Sequence, residues 1–248
     1  MKKYFSVFFL LFILVAIVLT SNPSLKVMKR IFFTQGKDSQ SQIVIVIDPG
    51  HGGRDPGKVG INNTIEKTIN LDISFKLKSL LEQNDIKVYM TREDDTGLYS
   101  QSDTYKKRAD LDNRVDFIHS KDADLAISIH QNSFPEEYVK GAQAFYYDKS
   151  LGGKVLAEMI QAQVKKTIAD GNHRVAKSNA SYYMLKKTEC PLVIVECGYL
   201  SNNSESALLM QNDYQEKMAW GIHLAIMQYI NQSGLKAGKR ELNETADR

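Results

Sequence analysis

The chain is short of cysteine, of charge of one sign and of internal repeats, and each shortage excludes something. Its 248 residues include two cysteines, Cys190 and Cys197. The segment "PLVIV" lies between them. As a strand it would hold their Cα atoms roughly 23 Å apart, whereas a disulfide needs about 4.4–6.8 Å. The thiols are expected to stay unpaired, and stability must come from a hydrophobic core, which a chain of this size can bury. Thirty-two basic and 29 acidic residues leave a formal net charge of +3. That balance, with no basic stripe of interleaved aromatics, predicts no nucleic-acid partner. Without repeats, the length suits one domain plus extra segments at the ends. With 43% hydrophobic and 25% charged residues, that domain is folded and globular.

Residues 1–20, "MKKYFSVFFLLFILVAIVLT", differ from the rest. Two lysines precede an apolar run from Tyr4 to Leu19 broken only by Ser6. This pattern is an export signal or a membrane anchor. As a helix it would span roughly 25 Å, slightly short of a bilayer. No A-x-A cleavage site follows, which favours an uncleaved anchor with the rest of the chain outside the cytoplasmic membrane. Residues 21–42 read as a linker, polar in "TQGKDSQSQ"; residues 43–231 as the domain; and residues 232–248 as a polar, frayed tail.

Short apolar runs predict strands at Ile43–Ile47, Ile86–Met90, Leu125–Ile129, Ala142–Tyr147 and Leu192–Val195, with "YYML", Tyr182–Leu185, as a sixth. Helical spacing joins Val155, Leu156, Met159, Ile160, Val164 and Ile168; it also joins Leu111, Val115 and Ile118, and Ala219, Ile222, Ile226, Tyr229 and Ile230. The run from Glu66 to Leu81 fits both periods, but its length exceeds a typical strand, so a helix is expected. Glu66 then lies on that helix's apolar face, where a carboxylate needs a partner. Alternating strands and helices imply an α/β fold with a mostly parallel sheet.

The loop in "IVIVIDPGHGGRDPGKVG", residues 43–60, admits two chemistries. Gly52, Gly57 and Lys58 match part of a phosphate-binding loop. Val59 replaces the hydroxyl residue such a loop needs, however, and the helix starts too late to face a phosphate. The alternative is a metal. His51, His130 and Glu196 each follow an apolar strand, and sites in such sheets lie beyond the strands' carboxyl ends. Glu66 follows the first loop. Two imidazoles, one carboxylate and an open position make a catalytic zinc site, with a further carboxylate as base. The other histidines read as structural: His223 as a satisfied core residue, His119 near a helix end, and His173 in an exposed loop.

The stretches "IDPGHGGRDPG", "EKTINL", "SIHQNS" and "VECGYLSN", in that order, resemble the zinc-dependent N-acetylmuramoyl-L-alanine amidases. The resemblance covers roughly residues 43 to 230. It implies one Zn2+ held by His51, Glu66 and His130, with Glu196 as the catalytic carboxylate. It also implies a single domain with a twisted, mostly parallel sheet of about six strands flanked by helices. The substrate it implies is peptidoglycan, cut at the amide between the muramic acid lactyl group and L-alanine. Lys58 stands where many relatives have a small residue, and is expected to be solvated. The chain shows no wall-binding repeat domain and no long insertion between Glu66 and His130. In this it is most similar to the germination-specific spore-cortex amidases, which remove peptide side chains so that muramic lactam can form. Some of these act with a partner lipoprotein, and the resemblance implies a location in the forespore or cortex space. The rival readings are a zinc peptidase or deacetylase acting on another amide, a non-catalytic wall-binding protein, and a cysteine hydrolase using Cys197. The last is disfavoured because consecutive strand residues face opposite ways.

Overall fold

In a computed structural model the described residues are 42–235. The expected anchor, nearly all of the linker and most of the tail lie outside them. The elements run in the order β1 (Val44–Pro49), a 3-10 turn (Ile61–Asn63), α1 (Glu66–Glu82), β2 (Lys87–Met90), α2 (Lys106–Ser120), β3 (Leu125–Asn132), β4 (Gln143–Tyr146), α3 (Leu151–Ile168), β5 (Lys177–Ser178), α4 (Tyr183–Lys187), β6 (Leu192–Tyr199), α5 (Asn203–Leu209) and α6 (Asn212–Ser233). The strands form one sheet in the order β2-β1-β3-β6-β4-β5. Every neighbouring pair is parallel except β4 and β6.

The central strands are apolar on both faces because both faces are covered. Ile45, Ile47, Ile127, Ile129, Val193 and Val195 pack in one core with the buried stripes of α1, α3 and α6. Val46, Ala126 and Ile194 face the other way, against Val115 and Ile118 of α2 and Met184 and Leu185 of α4. The helical reading of Glu66–Leu81 holds. Ile69, Ile73, Leu77 and Leu81 are buried while Phe75 is 40% exposed, as the 3.6-residue period requires and strand alternation would not.

Two expectations are corrected. "YYML" is not the sixth strand: Tyr183–Lys187 is the helix α4, and the sixth strand is Lys177–Ser178. Met184 and Leu185 are both buried in the same core. Neighbours on a strand point apart, so only a helical turn puts both into one core. β3 and β6 also run beyond their apolar runs. His130 and Glu196 are paired inside the ladder rather than placed after it.

A buried ionic network pins the backbone after β1. Asp48 is 1% exposed. It accepts hydrogen bonds from Arg114 Nη1, Thr91 Oγ1 and Ser128 Oγ, each at 2.6 Å. Arg114 also donates to Pro49 O at 2.9 Å, His51 O at 2.6 Å and Asp110 Oδ2 at 2.7 Å. Arg92 donates to Pro49 O at 3.0 Å and to Gly50 O at 3.1 Å. Burial acts to raise the Asp48 pKa; Arg114, Ser128 and Thr91 outweigh it and hold it down at about 2. The resulting stability is fully present above the ordinary value of 3.8 and is lost as pH falls through about 2.

Replacing Arg114 with methionine strands the Asp48 charge and the two loop carbonyls, of Pro49 and His51, that Arg114 holds. Arg114→Met should lower unfolding stability by about 3–5 kcal/mol in urea titrations. A loss below about 1 kcal/mol would show that the network does not hold the loop.

Candidate metal centre

The loop from Gly50 to Gly60 bends through several left-handed residues. His51 has φ 63°, and Gly52, Gly53 and Gly57 also have positive φ. A left-handed histidine is strained, and such strain persists only where surroundings over-determine it. Here Arg114 holds the His51 carbonyl, and Gly50 N–H donates to Ile129 O at 3.0 Å. Gly50 also needs its missing side chain: a Cβ there would lie 2.2 Å from the His130 ring. At Gly57 (φ 67°) a Cβ would lie 2.6 Å from Glu66 Oε2.

Glu66 opens α1 and is only 3% exposed. Its Oε1 sits 3.2 Å from His51 Nε2 and 3.1 Å from His130 Nδ1, and accepts the Gln131 N–H at 3.0 Å. Its Oε2 accepts the Lys58 N–H at 2.7 Å. Burial acts to raise its pKa, but the two imidazoles outweigh this and hold it far below the ordinary carboxylate range. On its other side, His51 donates through Nδ1 to Asp55 Oδ2 at 2.9 Å. This fixes the ring with Nε2 turned towards Glu66, as carboxylates behind ligand histidines do. Burial works against a charged His51, but Asp55 and Glu66 hold its pKa up at about 9. The hydrogen bond from His51, against partial burial, holds Asp55 at about 2, with Gly57 N–H and Lys107 contributing.

Glu196 stands beside His130 on the neighbouring strand. It is 8% exposed, and its buried Oε2 has no hydrogen-bond partner. Burial, reinforced by the Glu66 charge and opposed by His130 and His51, pushes its pKa up to about 7. His51, Glu66, His130 and Glu196 line one pocket of about 290 Å³, walled by Leu111, Tyr182, Tyr183, Met184 and Ile194. The wall is fastened to α2: Arg108 donates to Tyr183 Oη at 3.0 Å, and Tyr183 donates to Asp112.

The structure therefore gathers all four residues singled out in the sequence. One ligand atom each from His51, Glu66 and His130 lie within 4.8 Å of one another, a group that could hold a metal ion. Two imidazole nitrogens and a buried carboxylate oxygen fit the ligand chemistry of zinc. Sequence reasoning missed Asp55, Arg92, Arg114 and the α4 wall. Arg114 carried a readable signal, since it falls on the stripe of Leu111, Val115 and Ile118, where a cation needs a buried partner.

The remaining residues divide as follows. His119 lies in the last turn of α2 and accepts the Glu189 N–H, and His173 is exposed, both as expected. His223 is buried as expected, but it is not satisfied: its Nδ1 has no partner, and the ring stacks on Trp220. Lys58 is exposed, and its backbone N–H reaches Glu66. Both cysteines are free. Cys197 is fully buried in the core beneath the opposite face from Glu196, and burial raises its thiol pKa above the ordinary range, so no thiolate faces the pocket. No helix among the described residues is long and apolar enough to cross a membrane.

A family model described as N-acetylmuramoyl-L-alanine amidase matches residues 45–228. The germination-specific N-acetylmuramoyl-L-alanine amidase of Bacillus subtilis is 36% identical over 194 residues, covering 77% of this chain and 81% of that protein. The CwlD amidase of Clostridioides difficile, solved in complex with the GerS lipoprotein, superposes with a TM-score of 0.75 at 39% identity, covering 77% of this chain and all of that one. An N-acetylmuramoyl-L-alanine amidase from Clostridium difficile 630 gives a TM-score of 0.70 at 29% identity, covering 78% of this chain and all of that one. Matched along most of its length in sequence and in fold, the chain belongs to the N-acetylmuramoyl-L-alanine amidase family and is a peptidoglycan hydrolase.

Proposed function

We propose that this amidase is zinc-dependent, that His51, Glu66 and His130 hold the metal, and that Glu196 is the general base. The observation that carries the reading is the Glu66 carboxylate, buried between two imidazoles and facing a pocket where Glu196 Oε2 is unpartnered. Zinc, when bound, supplies a Lewis acid for the amide carbonyl and makes water more acidic. The chain's own residues do the rest. Asp55 keeps His51 in one ring orientation. The buried Glu66 neutralises part of the positive charge, leaving the site net positive towards a developing oxyanion. Glu196, free of hydrogen bonds at Oε2, takes a proton from water and hands it to the leaving amine of L-alanine. The apolar wall of Leu111, Met184 and Ile194 lowers the polarity on one side of the pocket, which strengthens these charges.

We further propose a role in the spore cortex, where removing peptides prepares muramic acid for lactam formation. Likeness to a germination-specific amidase supports this. The GerS complex of CwlD supports a lipoprotein partner for this chain as well. The apolar run at residues 4–19 supports an anchored or secreted enzyme outside the cytoplasmic membrane.

Three outcomes are expected. Glu196→Gln should stay folded and zinc-loaded while muropeptide release falls about 10²- to 10⁴-fold; Glu66→Ala should be zinc-poor and melt at lower temperature. Elemental analysis and melting curves decide it, and zinc lost from the first variant but kept by the second would reverse the roles. Asp55→Asn should weaken zinc affinity about 10- to 100-fold in chelator competition; unchanged affinity would remove Asp55 from the site. Spores lacking the enzyme should contain cortex without muramic lactam by muropeptide chromatography, and a normal lactam content would overturn the cortex role.

A further inference from the structure

Beside the metal centre lies a second, larger cavity of about 520 Å³, whose lining includes Arg54, Asp55, Tyr99, Lys106, Lys107 and Asp110. It adjoins the first at two places. Asp55 lines it and bonds His51. Asp110 lines it, while the next residue, Leu111, walls the metal pocket.

Its charges are unevenly committed. Asp110 accepts from Arg114 Nε at 2.7 Å and from the Leu98 N–H, and Asp55 accepts from His51 and the Gly57 N–H. Lys106 is taken up by the carbonyls of Ser100 and Gln101 and lies over the Tyr99 ring. Arg54 and Lys107 are exposed, and among the described residues neither side chain makes a hydrogen bond or ion pair. Lys107 also sits in the first turn of α2, where the helix dipole disfavours a cation, so helix stability does not account for it. The cavity thus presents two cations with no hydrogen-bonded or ion-paired partner next to the proposed reacting centre, Lys107 acting on Asp55 only at longer range, with both of its carboxylates already hydrogen-bonded.

A different groove, of about 600 Å³, touches the metal centre through Lys58, whose N–H holds Glu66. It carries one charge of each sign, Lys58 and Glu137, among apolar groups such as Val59 and Phe134. The scissile amide divides the substrate in the same manner: the glycan side is uncharged, and the peptide side bears free carboxylates.

We propose that the Arg54–Lys107 cavity receives the acidic peptide arm of the substrate, each cation pairing a peptide carboxylate, so that charge sets the direction in which the substrate lies across the metal centre. The proposal rests on the amidase reading of the neighbouring site. Cations of this kind act on binding before the chemical step, so their removal raises KM and leaves kcat. Guanidinium and ammonium are both suited to carboxylates, and exposed pairs of this type weaken with salt.

The test uses the zinc-loaded full chain and disaccharide-tripeptides with the peptide carboxylates either free or converted to amides. The double variant Arg54→Gln/Lys107→Gln should raise KM for the free acid on the order of tenfold and leave kcat and the amidated substrate unchanged. Arg54→Lys/Lys107→Arg should restore most of the loss. Added salt should raise the wild-type KM for the free acid only. Binding of the released tripeptide, followed by calorimetry, needs no turnover and should weaken by the same factor. Peptide binding without cleavage in the wild type would support the cavity while overturning the amidase reading. An equal effect on acid and amide, or no effect on either KM or peptide binding, overturns the proposal, and matched melting temperatures exclude a folding defect.

Discussion

A carboxylate placed between two imidazoles and away from water is the constraint around which this structure is organised. Glu66 is almost fully buried; the two imidazoles, the Gln131 N–H and the Asn70 side-chain amide converge on Oε1, and the Lys58 N–H on Oε2. Such a group is costly unless opposite charge meets it. The His51 imidazole supplies part of that charge, since Asp55 and Glu66, against burial, hold its pKa up at about 9. In the proposed enzyme a metal cation supplies that charge, and the same geometry becomes a ligand set. Glu196 completes the arrangement by being left out of it: it is buried beside the others and satisfied by none of them at Oε2.

Holding these groups in place falls to backbone that is itself under constraint. His51 sits in a left-handed conformation between glycines, and two arginines from elsewhere in the chain hold the carbonyls around it. Arg114 links this loop to the buried Asp48, so the strand, the loop and α2 are tied together through one side chain. The missing side chain at Gly50 gives the His130 ring the space it needs. Precision at the site is therefore built from interactions below and behind it, with loop sequence alone insufficient.

Much of the fold was legible because it follows from periodicity. The five apolar runs became strands, and the 16-residue run from Glu66 was assigned to a helix on length, which the exposure of Phe75 confirms. Tyr182–Leu185 misled because four apolar residues carry no period; only the common burial of Met184 and Leu185 distinguishes the helix. The true sixth strand has two exposed residues, Lys177 and Ser178, and so no hydrophobic signal at all. His51, Glu66, His130 and Glu196 were legible as chemistry-bearing residues at the ends of apolar segments. Their convergence was not, since it depends on contacts spanning 64 residues from His130 to Glu66. The Asp48–Arg114 pair spans 66 and left only the trace of a cation on an apolar stripe.

The claim that this constellation is a zinc site has one direct measurement. X-ray absorption at the zinc edge on the purified protein reports the metal's neighbours irrespective of activity. The account predicts one zinc per chain with nitrogen and oxygen neighbours at about 2.0–2.2 Å, including the outer-shell scattering of two imidazoles. A spectrum with sulfur neighbours at about 2.3 Å, or protein that takes up no zinc after metal is supplied, would contradict it.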